Sequence, residues 1–153
     1  MRLPFFAALL FAGAGAAVVQ AHTDNPAIDA RRAYFTLLGS NLGPLAAMAK
    51  GEAEYNAAQA DLHAGNLALL TSYAATPHFP EGSSNEDHPG DTRALPAIWS
   101  DFDGFMERYE AYVASVDALE ASAGEGRAAL GQAVANVGGA CKACHDDFRA
   151  PDF

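Results

Sequence analysis

Basic residues are scarce in this 153-residue sequence: nine Lys and Arg stand against nineteen Asp and Glu, for a net charge of −10. That balance excludes a basic surface for nucleic acid. β-Branched runs and period-two alternation are missing as well, so no segment reads as a strand, and no internal repeat appears. Beyond residue 21 no apolar run approaches the roughly 20 residues that a membrane span needs. Cysteine occurs only twice, at Cys141 and Cys144, so any thiol chemistry is confined to one short stretch.

The chain opens MRLPFFAALLFAGAGAAVVQA, with one base, an apolar run rich in alanine and glycine, and small residues at 19 and 21. This is the pattern of a secretory signal peptide over 1–21, cleaved after Ala21, which leaves one mature domain over 22–153. Export would put the cysteines in an oxidising compartment.

Alanine abundance and apolar residues at three- and four-residue steps make the mature chain all-α. Asp24 or Asn25 before Pro26 is a helix start. From there Ile28, Arg31, Phe35, Leu38, Leu42 and Leu45 form a stripe, with a kink expected at Gly43-Pro44. A second helix is expected over about 52–73, with Tyr55, Ala58, Leu62, Asn66, Leu69 and Tyr73 on its inner face. TPHFPEGSSNEDHPGD then reads as a long irregular connection, of a length that usually serves a site. A third helix carries Ile98, Phe102, Phe105, Tyr109, Tyr112, Val116 and Leu119 in one stripe. Glycines 124 and 126 end it, and a fourth runs to about Arg149 with Leu130, Val134, Val137, Cys141, Cys144 and Phe148 inward. Four such helices describe an antiparallel up-down four-helix bundle.

Cys141, Cys144 and His145 form C-x-x-C-H, the spacing of covalent c-type haem attachment. Two thiols one helical turn apart can each join a porphyrin edge, and the adjacent imidazole then falls beneath the iron. A thiol-redox motif would open a helix after a strand, and a zinc site would need about four ligands; neither context is present. A plain disulfide in a haem-free interaction protein is the remaining competitor. Arg31 sits on an inward stripe, where a guanidinium needs a partner; it either snorkels to the bundle end or meets the carboxylates of a haem held inside. Met48, His63 and Met106 are the upstream candidates for a sixth iron ligand. His22, His78 and His88 read as surface residues, and Trp99, Phe102, Phe105 and Tyr109 as core.

ARRAYF, KGEAEYNAAQA, PAIWSDFDGF and GGACKACHDDFR, spread over the whole mature chain, resemble the cytochromes c′. The resemblance implies a haem c near the C-terminal helix, attached to Cys141 and Cys144, with His145 as axial iron ligand. It further implies Arg31 and Arg32 beside the haem, Phe35 in the distal pocket and Arg149 in the proximal one. It also implies a periplasmic protein that pairs as a homodimer through its first two helices.

Two functions follow. With no upstream ligand the iron is five-coordinate and high-spin, open to a diatomic gas such as nitric oxide or carbon monoxide. The pocket then looks apolar, with Phe35 and no evident hydrogen-bond donor. With an upstream ligand the protein is a low-spin electron carrier, whose acidic surface would steer a basic redox partner. No residue set suggests catalytic turnover.

Overall fold

The computed structural model describes residues 23–73 and 75–151. The expected signal peptide, its cleavage after Ala21, and His22 lie outside the described residues.

Helix α1 spans Pro26–Lys50. The Asn25 side chain accepts from the Ala27 N–H and Pro26 occupies the first turn, so the start is capped as the sequence suggests. Pro44 lies inside the helix, which runs on past it to Lys50 and ends at Gly51, whose φ of 77° is glycine's to adopt.

Helix α2 spans Ala57–Thr71, shorter than expected, because the Asn56 side chain caps the Gln59 N–H and fixes a later start. Its inner face also differs from expectation. Ala60, Ala64 and Leu67 are buried, whereas Leu62 and Tyr73 are exposed and Leu69 is 70 % exposed. Small residues one turn apart let α2 approach its neighbours closely, and this turns the larger leucines outward. Tyr55 precedes the helix; its hydroxyl donates to the Ala123 carbonyl and accepts from the Gly126 N–H.

The connection after α2 is irregular apart from a short 3-10 turn at Thr76–His78. The expected third helix is two pieces, α3 (Ala97–Ser100) and α4 (Phe102–Ser122). Asp101 stands between them in a non-helical conformation, its carboxylate capping the Gly104 N–H. A local cap therefore overrides a continuous apolar stripe, and Phe102 is exposed instead of core. Helix α5 spans Arg127–Phe148 and begins after Gly126, at φ 117°.

The four long helices pack in a closed cycle: α1 on α2, α2 on α4, α4 on α5, and α5 back on α1. This is the expected four-helix bundle. The interior holds two clusters. One joins Leu45, Met48, Ala60, Ala64, Leu67, Tyr112, Val116, Leu119, Leu130 and Val137. The other, at the α3 end, joins Ile98, Phe105 and Phe148, with Phe79, Trp99, Met106 and Cys144 against them.

Candidate cofactor cavity

Between the two clusters the bundle opens into a cavity of about 590 Å³, within the ~300–1,000 Å³ typical of cofactor and ligand sites. Each long helix contributes to it. From α5 come Val137, Cys141, Cys144, His145 and Phe148; from α1 come Arg31, Tyr34, Phe35, Leu38 and Leu42; from α4 come Phe105, Arg108, Tyr109 and Tyr112; from α2 comes Leu67. The long connection closes one side with Thr76, Phe79 and Asp91 to Ala94.

Cys141 and Cys144 are half-buried and unbonded. Removal from water raises the pKa of both thiols, that of Cys144 to about 11, with neighbouring Cys141 and Asp147 adding to the effect. Both are therefore neutral near pH 7. Burial, with Arg149 and Arg93 nearby, lowers the pKa of His145, which favours the neutral imidazole that can ligate a metal. The Arg149 guanidinium lies 3.0 Å from His145 Nδ1. Phe35 is 46 % exposed, and its ring centroid stands 6.5 Å from that of His145.

Arg31 is 3 % exposed, so it does not snorkel. Nη1 donates to Ser83 Oγ at 2.9 Å, Nη2 donates to the Ser83 carbonyl and to Thr92 Oγ1 at 2.6 Å, and the guanidinium stands 5.3 Å from the Phe79 ring centroid. All these acceptors are neutral. Desolvation lowers its pKa to about 10. Among the described residues this buried cation has no carboxylate partner, so on the wall of a cavity it could take the acid groups of a bound ligand. Arg32 lines the cavity too but is exposed.

The sixth-ligand candidates lie elsewhere. Met48 is core, Met106 packs with the Ile98 cluster, and His63 Nδ1 meets Asn41 Oδ1 between α1 and α2. Among the described residues, His145 is the only His or Met that lines the cavity. Also among the described residues, no group of three or more His, Cys, Asp or Glu is arranged to hold a metal by itself. The two loop histidines are tied down: His78 Nε2 shares a hydrogen bond with the Tyr73 hydroxyl, and His88 Nε2 meets the Asn25 side-chain amide nitrogen.

Sequence reasoning missed three features. Ser83 and Thr92, buried in a polar loop, give no sequence signal. Tyr109 and Tyr112 of α4 read as part of an inward stripe, yet they face the cavity, as does Tyr34, and among the described residues the Tyr112 hydroxyl is buried with no hydrogen-bond partner. The charge distribution is also local: Arg31, Arg32, Arg93, Arg108 and Arg149 line the cavity, and Lys142 joins Arg93, Arg149 and His145 around an adjoining hollow. Cations gather at the site of an otherwise acidic chain.

Residues 26–149 match the family model described as Cytochrome C′. The chain is 46% identical over 142 residues to the cytochrome c′ of Cereibacter sphaeroides, spanning 93% of this chain and 94% of that one. A solved cytochrome c′ from Rhodobacter "Spheriodes" superposes with a TM-score of 0.81 at 47% identity, covering 84% of this chain and 99% of its own. A variant of cytochrome c prime from Alcaligenes xylosoxidans, solved as its nitric oxide complex, superposes with a TM-score of 0.71 at 30% identity, covering 84% and 99%.

Proposed function

The chain belongs to the cytochrome c′ family, and from that premise we propose that it is a periplasmic haem protein whose open iron binds nitric oxide or carbon monoxide. The family carries covalently attached haem c. In this reading Cys141 and Cys144 form the two thioethers and His145 is the axial ligand. The observation that carries the open face is the cavity lining, which holds no second histidine and no methionine among the described residues. When bound, the haem supplies a redox-active iron with a free coordination position.

The chain's own residues do the rest. Phe35 and the aliphatic residues behind it set the space available to a ligand. Arg31, held by Ser83 and Thr92, offers its charge to a propionate. Arg149 orients the His145 ring. Arg32 lies at the rim. The reading is of a binding and electron-transfer protein, not an enzyme. Arg93, Arg149 and the paired Lys142 and Asp146 surround the mouth, where a redox partner would approach. The homodimer reading is supported by Leu37 on α1 and Leu62 and Leu69 on α2, large apolar residues left exposed on the first two helices.

The test is an absorption spectrum of the haem-loaded protein, oxidised, reduced, and reduced under nitric oxide. A high-spin reduced form that shifts on adding gas is expected. A low-spin reduced form would instead mean a closed iron and an electron carrier, with Met48, Met106 and His63 as the ligands to replace.

A further inference from the structure

The cavity wall contains a polar atom for which the fold has no use. Tyr112 is 8 % exposed and lines the cavity, and its hydroxyl is buried without a partner. The neighbouring tyrosines are accounted for. The Tyr34 hydroxyl donates to the Leu70 carbonyl at 3.3 Å and stands 3.4 Å from that of Tyr109, which donates to the Thr71 carbonyl. Phenylalanine at 112 would keep the same ring packing and avoid burying an unsatisfied group.

Tyr112 and Arg31 also pack against different residues of the wall. Tyr112 belongs to the cluster of Leu67, Val116 and Val137, with Leu38, Leu42 and Cys141 packed against it. Arg31 instead lies over Phe79, which packs with Ile98, Phe105 and Phe148. A propionate drawn to Arg31 would therefore meet a different part of the wall from the one Tyr112 occupies. What remains for the hydroxyl is a small acceptor in the deep, apolar part of the cavity.

We propose that Tyr112 donates a hydrogen bond to the diatomic ligand bound in this cavity. The proposal rests on the haem reading above, and it replaces the expectation of a pocket without a donor. A single donor in an apolar surround selects for ligands whose outer atom carries negative charge when bound. Tyr112 is then the residue that sets ligand preference, while Phe35 sets access.

The probe is carbon monoxide on the reduced, haem-loaded full chain, read by infrared spectroscopy and by dissociation rate. Tyr112→Phe should raise the C–O stretching frequency and speed carbon monoxide loss about 5-fold, the factor that corresponds to a hydrogen bond of about 1 kcal/mol. The wild-type stretch should move in deuterium oxide, a measurement that needs no variant. Tyr55→Phe, whose hydroxyl serves Ala123 and Gly126 away from the cavity, should leave the stretch in place. An unchanged stretch and rate in Tyr112→Phe would overturn the assignment, as would an equal shift in Tyr55→Phe, the sign of general repacking. Failure of the haem reading would look different: the purified chain would show no mass gain from covalent porphyrin before any gas was added.

Discussion

The two halves of the bundle interior are built from the same helices and behave as different materials. Toward Leu119 the core is solid: Leu45, Val116, Leu119, Ala123 and Leu130 are fully buried, and alanines at 60 and 64 let α2 close on its neighbours. Toward Arg31 the helices hold a cavity open, lined by aromatic rings, a buried guanidinium and two half-buried thiols. The solid half is satisfied by its own side chains. The hollow half has an unneutralised cation, an idle tyrosine hydroxyl and apolar walls facing space, so its residues are explained by something bound between them. The difference teaches that stability and function are assigned to opposite ends of shared helices, with Leu67, Tyr112 and Val137 at the boundary.

The sharpest way to break this division is to cut one residue in each half. Leu119→Ala removes a fully buried side chain from a packed region and should cost about 3 kcal/mol in denaturant unfolding of the haem-loaded protein, with the absorption spectrum unchanged. A spectrum that changed with it would mean the halves are one unit.

Arg31→Met should cost less, about 2 kcal/mol, through the Ser83 and Thr92 acceptors it leaves unpaired. It should also loosen the connection over the cavity, seen as faster amide exchange around Ser83 and Ser84. Equal exchange in wild type and variant would show that Arg31 does not hold that connection.

Phe35→Ala should change stability by no more than about 0.5 kcal/mol, because nearly half of the side chain is exposed. Its effect belongs in kinetics: carbon monoxide association should accelerate as the wall opens, measured by flash photolysis. A large stability loss with unchanged association would move Phe35 from the access route into the core.

The same division marks what the sequence could reveal. Helical periodicity, the capped start before Pro26 and the glycine break at 124 and 126 placed the bundle, because helix starts, stops and stripes depend on local spacing. C-x-x-C-H marked three residues that line the cavity, Cys141, Cys144 and His145, for the same reason. The α2 face was misread because two alanines outweighed two leucines once close approach was allowed, and packing of that kind depends on the partner helix. The break at Asp101 was missed because one capping carboxylate can end a helix inside an unbroken apolar stripe. Arg31 was correctly placed inside, but its partners Ser83 and Thr92 lie more than fifty residues away in a loop without periodicity. A hydroxyl left idle, as on Tyr112, has no counterpart in sequence at all.

The smallest expected effect tests where acid first enters the structure. In the connection over the hollow half, Asp87 Oδ2 accepts from both the hydroxyl and the N–H of Ser84, next to the Ser83 that holds Arg31. These bonds, the hydroxyl's first, hold the Asp87 carboxyl below its ordinary value of 3.8. A depressed folded pKa contributes stability that is present above the unfolded value and is lost as pH falls through the folded one. Acid should therefore release the Ser84 turn below about pH 3.8. Asp87→Asn keeps the shape without the charge and should flatten that dependence, read as amide exchange at Ser84 across the acid range. If protection at Ser84 and at Leu119 fell together, with the same pH dependence in wild type and variant, the turn would not be the first part to yield and the two halves would unfold in acid as one.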